Sequence, residues 1–80
     1  MTFSVEVVDA EKLVSESHAV EIYIDRDKLA SLIKRLTLLA DEEVGDHVHL
    51  MTEAWGLGDL TDVKHADENV ITHHLKVILA

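Results

Sequence analysis

The chain contains no cysteine and no proline. Without cysteine there is no disulfide to staple a small fold, and no thiolate to complete a zinc site. Without proline there is no proline-rich linker, and no internal repeat is present, so residues 1–80 read as a single domain. No apolar run approaches the roughly 20 residues that a bilayer-spanning helix needs. The opening Met1-Thr2-Phe3-Ser4-Val5-Glu6 lacks a basic stretch followed by an apolar one, so no export leader is expected. Together these lacks point to a cytoplasmic protein. Positive charge is scarce as well: seven Lys and Arg stand against 16 Asp and Glu, for a net charge of −9. A general basic footprint for nucleic acid is therefore not expected, and anionic membranes are equally poor partners. Such a charge serves solubility and by itself names no partner, though it can also steer an acidic protein onto a basic one.

What is present is enough for a core, since 48% of the residues are apolar. A chain of this length buries only about 60–65% of its unfolded surface, so small domains often recruit a partner. Six histidines make the net charge much less negative near their ordinary pKa of about 6.5.

Phe3, Val5 and Val7 alternate with Ser4 and Glu6, which predicts a half-buried strand over about residues 2–9. Residues 10–18 are polar and read as a connection. Val20, Ile22 and Ile24 alternate with Glu21, Tyr23 and Asp25 in a second strand, expected to pair antiparallel with the first. Leu29, Leu32, Ile33, Leu36, Leu39 and Ala40 recur at spacings of three and four, the apolar face of a helix. Asp25 or Asp27 serves its N-terminal amides. Asp41, Glu42 and Glu43 disfavour its continuation past Ala40, and Gly45 supplies a turn. Leu38 falls opposite the apolar face.

His47-Val48-His49-Leu50-Met51 is a third strand, with Val48 and Leu50 on one face and the histidines on the other. Residues 52–69 read as a long irregular loop, and long loops in compact domains are often functional. A last strand is expected from Asn69 to Leu79. The order strand, strand, helix, strand, strand predicts an α+β fold. One amphipathic helix lies on one face of a four-stranded, mainly antiparallel sheet, in a two-layer sandwich. Glu6, Tyr23, His47, His49, His74 and Lys76 would lie on the uncovered face.

No complete catalytic constellation is visible, and the chain does not read as an enzyme. Ser4, Ser15, Ser17 and Ser31 lack the G-x-S-x-G context of a nucleophile elbow. Gly56-Leu57-Gly58 matches neither phosphate-loop pattern and reads as a turn. His47 and His49 could face one ion, with His74 joining if its strand lies alongside. Zinc wants three or four ligands, however, and a plain histidine face is the simpler expectation. No cofactor or metal is expected. Trp55, the one tryptophan, either folds back to cap the open end of the core or stands out as a partner-facing anchor rimmed by Glu53 and Asp59.

The segment His47-Val48-His49-Leu50-Met51-Thr52-Glu53-Ala54-Trp55-Gly56-Leu57-Gly58-Asp59-Leu60-Thr61 resembles the immunity protein 32 family, small bacterial proteins predicted to neutralise toxins of polymorphic secretion systems. The shared pattern is a histidine-containing strand, Leu-Met-Thr, Trp-Gly, then an acid followed by Leu-Thr. Leu57 stands where a second glycine would be expected. The resemblance implies tight binding to a toxin, with occlusion of its active site. For a basic nuclease toxin, Asp41, Glu42, Glu43, Asp46, Asp59 and Asp62 would stand in for phosphates. The candidate partner-binding residues are therefore Trp55, Glu53, Asp59, Asp62, Glu42, Glu43 and Asp46. The rival expectation is a homodimer that buries Tyr23, Met51, Val70 and Ile78 of the uncovered sheet face.

Overall fold

The computed structural model describes residues 2–8 and 19–80; the connection expected over residues 10–18 lies outside them. The elements are β1 (Phe3–Val8), β2 (Ala19–Ile24), α1 (Arg26–Ala40), β3 (His47–Met51), a 3₁₀ turn (Glu53–Trp55), β4 (Val70–Ile71) and β5 (His74–Ile78). The alternating pattern of the first two strands does what it predicts. β1 and β2 pair antiparallel, with Phe3 opposite Ile24 and Val5 opposite Ile22, so these four side chains share one face.

Asp25 joins this hairpin to the helix. Its Oδ1 accepts the Lys28 N–H at 2.8 Å, capping α1, while Oδ2 accepts the Thr2 N–H at 2.6 Å. These two amide contacts hold its carboxyl below the ordinary value, the Lys28 amide contributing most. The helix stops at Ala40, where the Asp41 N–H turns back to the Leu38 carbonyl at 3.2 Å and the Glu42 N–H to the Leu39 carbonyl at 3.0 Å. Gly45 follows with φ of 98°, the left-handed region open to glycine, and its N–H donates to the Leu79 carbonyl at 2.8 Å.

The expected four-stranded sheet is instead two sheets, β2-β1-β4 and β3-β5. The last strand breaks at Thr72–His73 because the chain changes partner there. The Thr72 N–H donates to Val5 O at 2.8 Å, whereas His73 O accepts the Thr52 N–H at 2.9 Å. Residues 60–61 bond to both β1 and β3. The Leu60 N–H donates to Met51 O at 3.0 Å and the Thr61 N–H to Phe3 O at 2.6 Å. Backbone hydrogen bonds thus join β1 to β4, β5 to β3, and Leu60–Thr61 to both β3 and β1, while the chain itself carries β4 into β5. Phe3, Val5, Leu50 and Leu60 form the apolar core, with Ile24, Leu32, Val48 and Leu75 packed around them.

The split narrows what the helix can cover. α1 rests chiefly on β3. Of its expected buried face, Leu39 is buried and Leu32 packs on the core, but Leu29, Ile33, Leu36 and Ala40 are exposed. Periodicity located the apolar stripe, but the width of the covered strip is set by the sheets.

The other sheet face also departs from expectation. Glu6, expected at the surface, is fully buried. The segment after Thr61 folds back over β1 and encloses it. Glu6 Oε1 accepts the His65 N–H and the Asn69 Nδ2–H, each at 2.9 Å. Oε2 accepts the Ser4 hydroxyl at 2.7 Å and lies 2.9 Å from His65 Nδ1. Burial pushes this carboxyl up, but the bonds from Ser4, Asn69 and His65 outweigh it and hold it at about 2. Tyr23 closes the layer, its ring stacked on His65 at 4.2 Å and 6°. Its hydroxyl donates to Glu21 at 2.6 Å, the main reason its pKa is raised to about 12.

Glu6→Gln should lower the unfolding free energy by about 2–4 kcal/mol in urea titrations, a large part of the ~4–12 kcal/mol normal at this size. Because its folded pKa is depressed, Glu6 adds its full stability above the ordinary carboxyl value of 4.5, and that contribution is lost as pH falls towards 2. The wild type should therefore lose stability across that window more steeply than Glu6→Gln. Parallel curves would remove Glu6 as the cause. Asp25→Ala should cost about 1–2 kcal/mol by loss of the cap.

Candidate protein-binding surface

Trp55 sits at the end of the 3₁₀ turn that follows β3. The Trp55 N–H donates to Thr52 O and the Gly56 N–H to Glu53 O, both at 3.0 Å. Gly56 then takes φ of 111°, again the left-handed region. Gly58, the other glycine of this loop, takes no positive φ. The indole does not cap the core: Trp55 is 59% exposed. It lies against His73, the rings 5.7 Å apart and 5° from parallel. His73 Nδ1 is in turn 2.7 Å from the hydroxyl of Thr52, which is fully buried. A buried threonine therefore fixes the imidazole, and the imidazole backs the indole.

The candidate acids divide by what they touch. Asp59 braces the fold: its Oδ1 pairs with Arg35 at 3.2 Å and its Oδ2 accepts the Met51 N–H at 3.4 Å. Arg35 also donates to His49 O at 3.2 Å, tying α1 to β3 and to the loop. Asp46 forms a turn with Glu43, accepting the Glu43 N–H at 3.2 Å. Glu42, Glu43, Glu53 and Asp62 are exposed. Between α1 and the start of β3 lies a groove of about 410 Å³. Leu38, Leu39 and Val48 give it an apolar lining, and Glu42, Asp46, Arg35 and His47 complete it. Arg35 thus connects the two acidic stretches that flank β3, since it lines the groove with Glu42 and Asp46 and holds Asp59 of the Trp55 loop.

On the outer face of β3 and β5 three histidines form a row. The His47 and His49 rings meet edge-on at 4.4 Å, and His49 and His74 stack at 5.0 Å. His49 Nδ1 and His74 Nε2 are 2.8 Å apart. Burial lowers the His49 pKa, and His47, His74 and Lys76 add to the effect. Among the described residues, no three His, Asp or Glu side chains are arranged to hold a metal ion, and no helix is long and apolar enough to cross a membrane.

Ser4, His65 and Glu6 bring together a hydroxyl, an imidazole and a carboxylate. They do not form a nucleophilic relay. Ser4 is fully buried, its hydroxyl donates to the carboxylate, and the same ring nitrogen, Nδ1, faces both partners.

Sequence reasoning singled out Trp55 and the acids around it but passed over Thr52, His65, Asn69 and His73. These four lie in or beside a polar stretch with no periodicity, and only the folded chain shows what they meet. Comparison of the chain with protein-family models, with curated proteins and with solved structures finds no match.

As the only tryptophan, Trp55 reports its own surroundings. Its emission should be that of a solvated indole and should be quenched efficiently by acrylamide. His73→Ala should lower its fluorescence anisotropy by removing the backing ring. A blue-shifted emission that acrylamide does not reach would contradict the exposed placement.

Proposed function

We propose that this domain is a protein-binding module that captures and neutralises a basic partner protein, in the manner of the immunity proteins its central segment resembles. The observation that carries this reading is the exposed, pre-set indole of Trp55. A large aromatic held on the surface by a second ring loses little freedom on binding, and tryptophan is enriched where binding energy concentrates. Most of the resembling segment serves the fold: Leu50, Thr52 and Leu60 are buried, and Thr61 bonds to Phe3. Trp55 and Leu57 are the large apolar side chains after β3 in that segment that remain exposed. Exposed Glu42, Glu43, Glu53 and Asp62 suit a basic surface and would speed its approach. The groove beside Leu38 suits an aliphatic stem with a cationic tip, such as a partner lysine or arginine. A basic toxin domain is the partner class that fits both features.

The decisive test is to sequence the genes on either side of this one, co-express it with any toxin they encode, and titrate the purified pair; no toxin gene there would count against this reading. Protection and a saturable complex are expected. Trp55→Ala should weaken binding by about 2 kcal/mol or more, roughly thirtyfold, with little change in stability. Charge reversal at Glu42 and Glu43 should chiefly slow association and flatten its salt dependence. Growth arrest despite co-expression, with no complex in solution, would end this reading.

The second reading, a homodimer, draws on the exposed apolar residues Leu29, Ile33 and Leu36 of α1 with Val20 and Ile22 of β2. Of the residues first expected to be buried in such a dimer, Val70 and Ile78 are exposed, whereas Tyr23 is engaged by His65. Sedimentation at micromolar concentration separates the readings, since a monomer rules out a strong homodimer.

A further inference from the structure

We propose that the outer face of β3 and β5 carries a two-histidine site for a divalent transition-metal ion, held between His49 Nδ1 and His74 Nε2. This inference is independent of the partner-binding reading. β3 and β5 pair antiparallel, with Met51 opposite His74 and His49 opposite Lys76, so His49 and His74 are diagonal neighbours on one face. Paired strands fix both side-chain origins, and only ring rotations are needed to turn two lone pairs towards one point.

The spacing permits a shared ion. An imidazole nitrogen sits about 2.0–2.1 Å from a bound divalent ion, so two of them at a right angle stand about 2.9 Å apart, and at the tetrahedral angle about 3.3 Å. The observed 2.8 Å is the hydrogen bond that joins the two rings in the ion-free chain, and it shows that both nitrogens come close enough to share one ion after small ring rotations. Either arrangement is within reach of ring rotation, so the preference for copper(II) rests on its place at the top of the affinity order for imidazole nitrogen. Water completes the coordination. His47, edge-on to His49 at 4.4 Å, is the nearest further imidazole.

Proton balance is simple at neutral pH. In the ion-free contact one of the two facing nitrogens carries the hydrogen and the other accepts it. When the ion takes their place, that hydrogen moves through solvent to the other nitrogen of its own ring. Each neutral imidazole keeps one N–H, and no net proton is released. The surrounding charges set the strength. Lys76 lies across from His49, and Arg35 donates to the His49 carbonyl, so both positive groups oppose a cation. His47 and His74 are the other titratable groups beside the ring. The same groups, together with burial, keep His49 neutral to lower pH than usual, which preserves its lone pair. With two protein ligands and two opposing cations, binding is weaker than at a site of three or four protein ligands.

The test is calorimetric titration of the untagged 80-residue chain with copper(II), nickel(II) and zinc chloride. One ion per chain is expected, bound most tightly for copper, less for nickel and least for zinc. His49→Ala and His74→Ala should each weaken copper binding by roughly tenfold or more. Lys76→Ala should strengthen it, a gain that general damage to the fold cannot produce. On the wild-type chain, copper should broaden NMR signals of residues 47–51 and 74–76 before any others, so the site can be judged even if a variant unfolds. No saturable uptake, unchanged affinity in both histidine variants, or broadening centred elsewhere would each overturn the proposal.

Discussion

One buried carboxylate organises the side of this domain that the helix does not cover. Glu6 carries charge into a layer sealed from water, a step that is costly unless every lone pair finds a donor. Ser4 supplies one from the same strand, but the others come from about 60 residues away in the chain, through His65 and Asn69. The segment after Thr61 is therefore not a spare loop. Its fold-back over β1 is what makes a charged residue tolerable in the middle of a central strand. It also delivers Val70 and Ile71 to the edge of β1, where they pair opposite Val7 and Glu6.

From that anchor the remaining connections follow. Once β4 is fixed to β1, the chain must leave that edge at Thr72 to reach β3, and the two sheets separate. Leu60 and Thr61 supply the backbone bonds that rejoin β3 and β1, while Leu60 puts its side chain into the core. Thr52 ties the same region together from β3. Its N–H bonds to His73 O, its carbonyl accepts the Trp55 N–H, and its hydroxyl meets the His73 ring. The residues that close the fold thus also set the pose of the exposed indole.

The regular elements were legible because each rests on a short-range period. Alternation located β1, β2 and β3, and spacings of three and four located α1 with Asp25 at its cap. The α+β class followed directly. The two-sheet arrangement was not legible, because its one mark in the alternation Ile71, His73, Leu75, Val77, Leu79 is His73, and a single histidine in a strand does not announce a change of partner. Nor was the burial of Glu6. A glutamate between two valines looks like the solvent side of any half-buried strand, and the residues that satisfy it are scattered through an aperiodic stretch. The cluster of Trp55 and acids was visible as composition, but its division into Asp59 as brace and Glu53 and Asp62 as exposed charge depends on Arg35, which reaches across from the helix.

The way the internal acids are satisfied bears on the surface as a whole. Glu6 and Asp25 are held mainly by backbone amides and neutral side-chain donors, and Asp46 by a backbone amide. Such donors satisfy lone pairs and lower pKa values, but they do not cancel charge. Among these structural carboxylates, Asp59 is the one neutralised by a guanidinium. The acids that build the fold therefore still contribute to the field outside it, added to that of the exposed Glu42, Glu43, Glu53 and Asp62. A fold stabilised by acid–base pairs would consume its cations and its anions together and present little net field. This one keeps its negative potential while using its carboxylates structurally, so the field outside the domain and the stability of the fold draw on the same residues.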